Sequence, residues 1–440
     1  MPFFSILMPT RNRASLLKAA LSTAVNQDFH DYEIVVSDNN SADETRAVTE
    51  GFAGSCDKIR YVNPGRDLSM CDNWEFVLSH AAGRYLLYLC DDDGLAPNSL
   101  SYMHRLLTRS PADVLVWGYG SYGHPDVPDE GVRCTFSYER GPGSLFDVAS
   151  KPIMDALCAF DASVYPVVPR MLNCAVSQEA VDRCRARTGN FFIPPYPDFS
   201  SVGQLLSTNS TYHFVDLPLY IVGVSKISNA GIRYDRKKKI DEYVSLFDHD
   251  LLEGVQYPMR YLTTSYFQAT WRRFQRAYPE TFTSRIDMGA YLNSLFSELL
   301  SFEDCDDISE ELALLSGYMR DYTGDDSMFE RKMGEHRAEA RGAAQDAARA
   351  GGPLRALRRA ARRAIDSDER VRRLVMRARG QAHAESSHSF HKHVPSIADA
   401  SRILYDHLSA RVESSGDLSP IRVTSTRFLN GGAREGAGRA

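Results

Sequence analysis

Three consecutive carboxylates, Asp91, Asp92 and Asp93, stand directly after the apolar run Tyr85–Cys90 and just before Gly94-Leu95-Ala96-Pro97. Adjacent carboxylates repel one another, and at a strand end facing a cleft they need a cation to be tolerable. Oxygen-only ligands favour Mg2+ or Mn2+, ions that usually complete their shells with substrate phosphates. An ion held here would bridge the two phosphates of a nucleoside diphosphate and neutralise charge on the departing group. The bland alternative is a solvated acidic turn.

The elements that must position these residues alternate along the first 117 residues. Phe3–Met8 is an apolar run ending at Pro9 and predicts a buried strand. Ala14–Val25 carries Leu16, Leu17, Ala20, Leu21 and Ala24 at helical spacing. Tyr32–Ser37 is rich in β-branched residues and predicts the next strand. Ser41-Ala42-Asp43-Glu44 has the form of a capping box opening a helix through Thr49. A short strand at Ile59–Val62, a helix at Met70–Ala81, a strand at Tyr85–Cys90, a helix at Asn98–Leu107 and a strand at Asp113–Tyr119 follow. Near-continuous apolar strands alternating with helices predict an α/β fold, a mainly parallel sheet covered on both faces. In such sheets ligands sit at the carboxyl ends of strands, which directs attention to Pro9–Arg13, Asp38–Ser41 and Asp91–Asp93.

Residues 120–150, rich in Gly, Pro and Asp, read as irregular loop. Residues 151–230 mix helices with short strands at Tyr212–Val215 and Leu219–Val224. The expected division is therefore a catalytic domain over 1–230, a helical extension over 231–330, a basic amphipathic segment over 331–380 and a polar, partly disordered tail over 381–440. The basic segment holds 14 Arg in 50 positions. In it Leu354, Leu357, Ala361 and Ile365 fall on one helical face opposite Arg355, Arg358, Arg359, Arg362 and Arg363. Such a helix suits an anionic membrane surface or a protein partner.

Composition sets the outer limits. Hydrophobic residues at 43% and charged residues at 25% describe a soluble globular chain. A net charge of −6 gives no reason to expect nucleic acid as a partner. The eight Cys form no C-x-x-C pair, which argues against structural zinc and for reduced thiols. No run approaches the ~20 apolar residues of a spanning helix, and Arg11 and Arg13 follow the first apolar run where a signal peptide has its charge before it. The expected location is cytoplasmic, with peripheral contact on the inner face of the cell membrane.

Three segments, Ser5–Arg13 (SILMPTRNR), Glu33–Thr45 (EIVVSDNNSADET) and Gly83–Leu100 (GRYLLYLCDDDGLAPNSL), resemble in order and spacing the signatures of family 2 of the inverting glycosyltransferases. The resemblance covers residues 3–117 well and 118–230 loosely. It implies a GT-A fold, a nucleoside diphosphate sugar donor, a glycan or lipid-linked acceptor, as in assembly of bacterial surface polysaccharides, and a Mn2+ or Mg2+ cofactor. It implies that Pro9, Thr10, Arg11 and Arg13 hold base and ribose, that Asp38 contacts the base, and that the acidic run binds ribose and metal. By pattern Asp91 and Asp93 form the Asp-x-Asp pair that holds the ion, with Asp91 and Asp92 toward the donor nucleotide; Asp92 is equally placed to be the direct ligand. Cys90 stands where members often have a further Asp, and Asn39-Asn40 where many have Gly-Ser.

Displacement at an anomeric carbon needs a general base for the acceptor hydroxyl. The resemblance points to an acidic residue at the start of a later helix, here Asp198 in Pro194-Pro195-Tyr196-Pro197-Asp198, where three prolines stiffen the backbone. Its alternative role is a helix N-cap. Tyr196 is placed to line the acceptor site. Lys226 and Arg233 fall where the family has a loop closing over the diphosphate, and either would neutralise the leaving group; both also read as solvated surface. Asp38 reads equally as a turn residue, Trp74 and Asn73 as core and helix surface, His213 as a packed histidine. Two other functions stand beside transfer. A nucleotidyltransferase of related fold would begin with a Gly-rich, Lys-containing loop, which Pro9–Arg13 lacks. A catalytically inactive glycan-binding module would have no need of the intact acidic run and Asp198.

Overall fold

A computed structural model describes residues 1–227, 236–349, 388–414 and 421–423. The basic helix expected over 354–365, and Arg233, lie outside these residues. The chain begins β1 (Phe4–Thr10), α1 (Ala14–Val25), β2 (Tyr32–Asp38), α2 (Thr45–Ala53), β3 (Ile59–Val62), α3 (Met70–Leu78) and β4 (Tyr85–Tyr88). It continues β5 (Gly94–Leu95), α4 (Ser99–Arg109), β6 (Val114–Gly123), β7 (Phe136–Glu139), β8 (Leu145–Ala149), α5 (Ser150–Cys158), β9 (Cys174–Ser177), α6 (Gln178–Thr188), α7 (Pro197–Thr208) and β10 (Thr211–Val224). Helices α8 (Arg236–Val244), α9 (Thr263–Ala277), α10 (Met288–Leu300), α11 (Ser309–Thr323) and α12 (Ser327–Arg349) follow, then β11 (His388–His391), α13 (Ile397–Ser414) and β12 (Ile421–Val423).

The strands form one sheet in the order β12-β8-β10-β6-β9-β4-β1-β2-β3, with β5, β7 and β11 attached at its side. β1 pairs in parallel with both β2 and β4, β2 with β3, and β6 with β10. β9 lies antiparallel between β4 and β6. A central sheet flanked by helices is thus what the apolar runs predict, but it is mixed: the β4-β1-β2-β3 stretch and the β6/β10 and β8/β12 pairs are parallel, and the other pairings among the described residues are antiparallel. Alternation explains how it is covered. Phe4, Ile6 and Met8 of β1 join one core with Leu17, Leu21 and Leu87, while Leu7 joins a second with Leu86, Tyr88, Trp74 and Val77. Successive side chains of a strand point to opposite faces, so a strand buried on both sides reads as a continuous apolar run. Trp74 is core, stacked on Tyr88 at 4.4 Å. Asn73 is buried rather than on the helix surface, because it accepts a hydrogen bond from Ser37 Oγ at 2.7 Å.

The structure departs from the sequence reading in several further places. Residues 120–150 are not one loop: β6 runs on to Gly123, and β7 and β8 extend the sheet. The two expected strands at 212–224 are a single β10 whose register against β6 shifts around Pro218, a residue that has no N–H to give the ladder. The capping box does not form, and Asp43 takes over. Its Oδ1 accepts from Thr45 N at 3.1 Å, and its Oδ2 from Ala14 N at 2.9 Å. The expected polar tail contains β11 and α13, which complete the catalytic sheet and core. Ile397, Ala400, Leu404 and Leu408 on one face of α13 are all buried in the first core, at about 1.5–3 kcal/mol for each large side chain. The helical extension is fused to the catalytic layer too, since Phe267, Trp271 and Phe274 of α9 belong to the second core.

His213 is packed, with Ser110 Oγ 2.8 Å from its Nε2. Burial holds its pKa below the ordinary histidine value despite Asp147 nearby, which acts the other way. A folded state that binds protons less readily than the unfolded chain loses stability as pH falls below the unfolded value of about 6.5. Urea midpoints are therefore expected to drop between about pH 7 and pH 5, and to drop less in His213→Gln. Equal slopes in the two proteins would discount this site as an acid-sensitive contact.

Candidate active site

The β1–α1 and β2–α2 loops, which leave neighbouring parallel strands at their carboxyl ends, are laced together. Asn12 N donates to Ser41 Oγ and Ala42 N to Asn12 Oδ1, each at 2.8 Å. Asn12 and Asn40 both adopt positive φ, 53° and 55°, a region that Asn tolerates better than most residues. Asp38 is buried at the rim, where its carboxylate accepts from Ser41 N at 2.9 Å and from Tyr61 Oη at 2.6 Å. Its turn role is therefore real. Pro9 and Thr10 are buried in β1. Arg11 is exposed and ion-paired with Asp67.

The acidic run sits beside this cradle, at the end of β4, and its three carboxylates have different surroundings. Asp91 accepts from Thr10 Oγ1 at 2.7 Å and from Arg13 at 3.0 Å. Asp93 accepts from Tyr220 Oη at 2.6 Å and from the backbone N–H of Gly223 at 2.8 Å, both on β10. Among the described residues the Asp92 carboxylate takes a hydrogen bond only from its own backbone N–H, while its carbonyl is bound by His124 Nε2 at 2.8 Å. Burial, then the charges of Asp93 and Asp91, push its pKa well above the carboxylate range. Burial likewise raises Asp93, against its two hydrogen bonds. For Arg13, burial opposes the charge, but Asp91 and Asp92 outweigh it and hold the guanidinium above its usual value. Arg13 also donates to Ile227 O at 2.9 Å, which draws the loop carrying exposed Lys226 toward the acidic run.

The sequence pattern puts the ion on Asp91 and Asp93, with Asp92 equally placed to be the direct ligand, and Asp91 and Asp93 are the two carboxylates engaged by side chains or by the backbone of other residues. Among the described residues, the one that takes no hydrogen bond from any residue but itself is Asp92. Ligand atoms of Cys90, Asp92 and Asp93 lie within 4.8 Å of one another. The hard oxygen donors among them fit Mg2+ or Mn2+. Burial keeps Cys90 a thiol, which suits those ions poorly.

Asp198 lies in the first turn of α7, without a capping role: Tyr196 is the N-cap residue and makes no side-chain cap bond. Its Oδ1 is enclosed with no partner, and burial raises its pKa, moderated by the charge of Arg170. Its charge in turn acts, weakly, to raise Asp93 and Cys90, which sets it near the acidic run. The wall is rigid, since Arg273 of α9 donates to Pro194 O at 2.6 Å and Ser201 Oγ to Asp198 O at 2.9 Å. Tyr196 is stacked on Tyr243 at 5.5 Å, within an aromatic cluster. Arg170, which donates to Tyr119 Oη at 3.2 Å, joins the site unforeseen.

Gly223 explains why β10 can come so close. A Cβ there would stand 1.7 Å from Asp92 O and 2.8 Å from His124 Nε2. Gly223→Ala is expected to force β10 and the acidic turn apart, with a lower melting temperature and loss of any ion response. Retention of both by the variant would mean that the approach is not needed.

Residues 5–154 match the family model described as glycosyl transferase family 2. A GalNAc(5)-diNAcBac-PP-undecaprenol beta-1,3-glucosyltransferase of Campylobacter jejuni is 39% identical over 115 residues, 26% of this chain and 37% of that protein. A PGL/p-HBAD biosynthesis glycosyltransferase of Mycobacterium bovis is 34% identical over 118 residues, 27% of this chain and 46% of that protein. The chain thus spans less than half the length of these relatives. Among solved structures, S. aureus TarS in complex with UDP-GlcNAc aligns with 76% of this chain and 92% of its own at 14% identity and a TM-score of 0.45. Residues 5–154 of this chain are a glycosyltransferase family 2 domain.

Proposed function

We propose that the chain transfers a sugar from a nucleoside diphosphate donor to a glycan or lipid-linked acceptor, with inversion, using a divalent cation. The observation that carries this reading is a pair of carboxylates that no side chain among the described residues engages by a hydrogen bond, buried Asp92 at the carboxyl end of β4 and half-buried Asp198 in the first turn of α7. Thr10, Arg13 and Asp38 shape the nucleotide end of the site. Asp92, supported by Asp93, would hold Mn2+ or Mg2+, which supplies charge neutralisation to the diphosphate. Asp198 accepts the proton of the acceptor hydroxyl. The acceptor oxygen then bonds to the anomeric carbon as the bond to the diphosphate breaks on the opposite side, which inverts the centre. Lys226, and Arg233 in the following segment, are the candidate cations for the leaving group.

The names of the relatives support a lipid-linked acceptor, because that of the Campylobacter protein describes a polyprenyl-diphosphate glycan. No described helix is long and apolar enough to cross a membrane. Peripheral attachment through the Arg-rich 331–380 segment is part of the proposal, as is a role in surface polysaccharide assembly.

The test is a thermal-shift and hydrolysis screen of nucleoside diphosphate sugars with and without Mn2+. Stabilisation and slow nucleotide release by one donor, dependent on the ion, would support the reading. A protein that binds glycans yet turns over no donor would replace it with the binding-module alternative.

A further inference from the structure

The turn that presents Asp92 is held from three sides. On one side β10 pairs with β5, Tyr220 opposite Leu95 and Ile221 opposite Gly94. On the second, Thr23 Oγ1 of α1 accepts from Leu95 N at 3.2 Å, and Gln27, just past the end of that helix, donates from its side chain to Ala96 O at 2.9 Å. The third side is α13, some 300 residues later in the chain. Ser401 Oγ donates to Leu95 O at 2.5 Å and is itself buried. Ile397 packs so closely on Gly94 that a Cβ there would lie 3.1 Å from its Cγ1.

We infer that α13 is a positioning element of the ion site, with Ser401 and Ile397 fixing the backbone of Gly94 and Leu95 and so the direction in which Asp92 is presented. The inference rests on Asp92 being the ion's ligand. Its physical basis is short range. Two residues separate Asp92 from Leu95, Asp93 between them is pinned at both oxygens, and a sub-ångström shift of the turn moves the ligand off its coordination geometry. Contacts that orient a ligand from behind typically change metal affinity by about 10–100-fold. The same helix supplies an internal control, because Leu408 is buried in the same core but stands about 10 Å along the axis from Ser401.

The experiment measures Mn2+ binding to the full chain by loss of the free-ion electron paramagnetic resonance signal, in the presence of UDP or GDP. Ser401→Ala and Ile397→Ala are expected to weaken binding about tenfold, and Ser401→Thr, which keeps the hydroxyl, to restore it. Leu408→Ala, or Leu408→Val where the alanine variant does not fold, is expected to lower the melting temperature and leave Mn2+ affinity alone. Wild-type affinity in Ser401→Ala and Ile397→Ala, or equal weakening by the Leu408 variant, would overturn the inference while leaving the ion site intact. Wild-type protein that binds no Mn2+ would overturn the ion site and the inference together.

Discussion

Asp92→Asn is expected to reduce sugar transfer by about a thousandfold or more while raising the melting temperature of the ion-free protein. The first effect follows from the loss of the one carboxylate in the run that no other described residue engages, since a bound cation contributes several kcal/mol to a departing diphosphate. The second follows from electrostatics. Burial and the flanking Asp93 and Asp91 raise the pKa of Asp92 in the folded protein. A carboxyl whose folded pKa lies above its unfolded value stabilises the fold only while protonated, and costs stability as pH rises through the unfolded carboxylate range. An amide of the same shape removes that cost. Asp93→Ala is expected to behave in the opposite way. It strands Tyr220 Oη and the Gly223 N–H, which now donate to Asp93 at 2.6 and 2.8 Å, and each buried donor left unsatisfied costs about 1–3 kcal/mol. The opposite shifts in melting temperature would mark Asp93 as the carboxylate that holds the turn to β10, and transfer activity then decides which carboxylate holds the ion. If Asp92→Asn keeps its transfer and Asp93→Asn, which preserves shape, loses it, the ion belongs on Asp93, as the sequence pattern has it.

That assignment marks where sequence reading runs short. The apolar runs Phe4–Met8 and Tyr85–Leu89 declare strands covered on both faces, and the acidic run declares its cleft, because each signal is local. What distinguishes Asp91, Asp92 and Asp93 from one another is not local. It depends on Thr10 and Arg13 about 80 residues earlier, and on Tyr220 and Gly223 about 130 residues later. Their approach is set by the register of β10, which shifts twice around Pro218. No spacing rule in the chain reports that shift. α13 is a different case, because Ile397, Ala400, Leu404 and Leu408 recur at helical spacing and the signal was available. Its polar surroundings, and its separation from the catalytic segments by the Arg-rich stretch, made the segment read as tail.

Asp198→Asn is the second large effect expected, a loss of about 10²–10⁴-fold in transfer with donor binding retained. The range is that of general base catalysis by a positioned side chain. Retention of donor binding follows from position. Asp198 belongs to α7, whereas the nucleotide cradle is built by β1, β2 and the acidic run, so the amide alters the acceptor side alone. Stability separates this role from the alternative of a helix cap. A capping carboxylate would accept from backbone N–H groups, and its loss typically costs about 1 kcal/mol. Among the described residues the Asp198 carboxylate makes no such bond, its Oδ1 is enclosed without a partner, and its pKa is raised by burial with Arg170 as the opposing charge. Asp198→Asn should therefore melt no lower than wild type. A raised pKa makes the carboxylate a stronger base once ionised, and the charge of Arg170 works against the rise. Full activity in Asp198→Asn, or a fall in donor affinity that matches the fall in turnover, would remove Asp198 from the acceptor side and require the base to be sought among the other groups facing the cleft, beginning with His124.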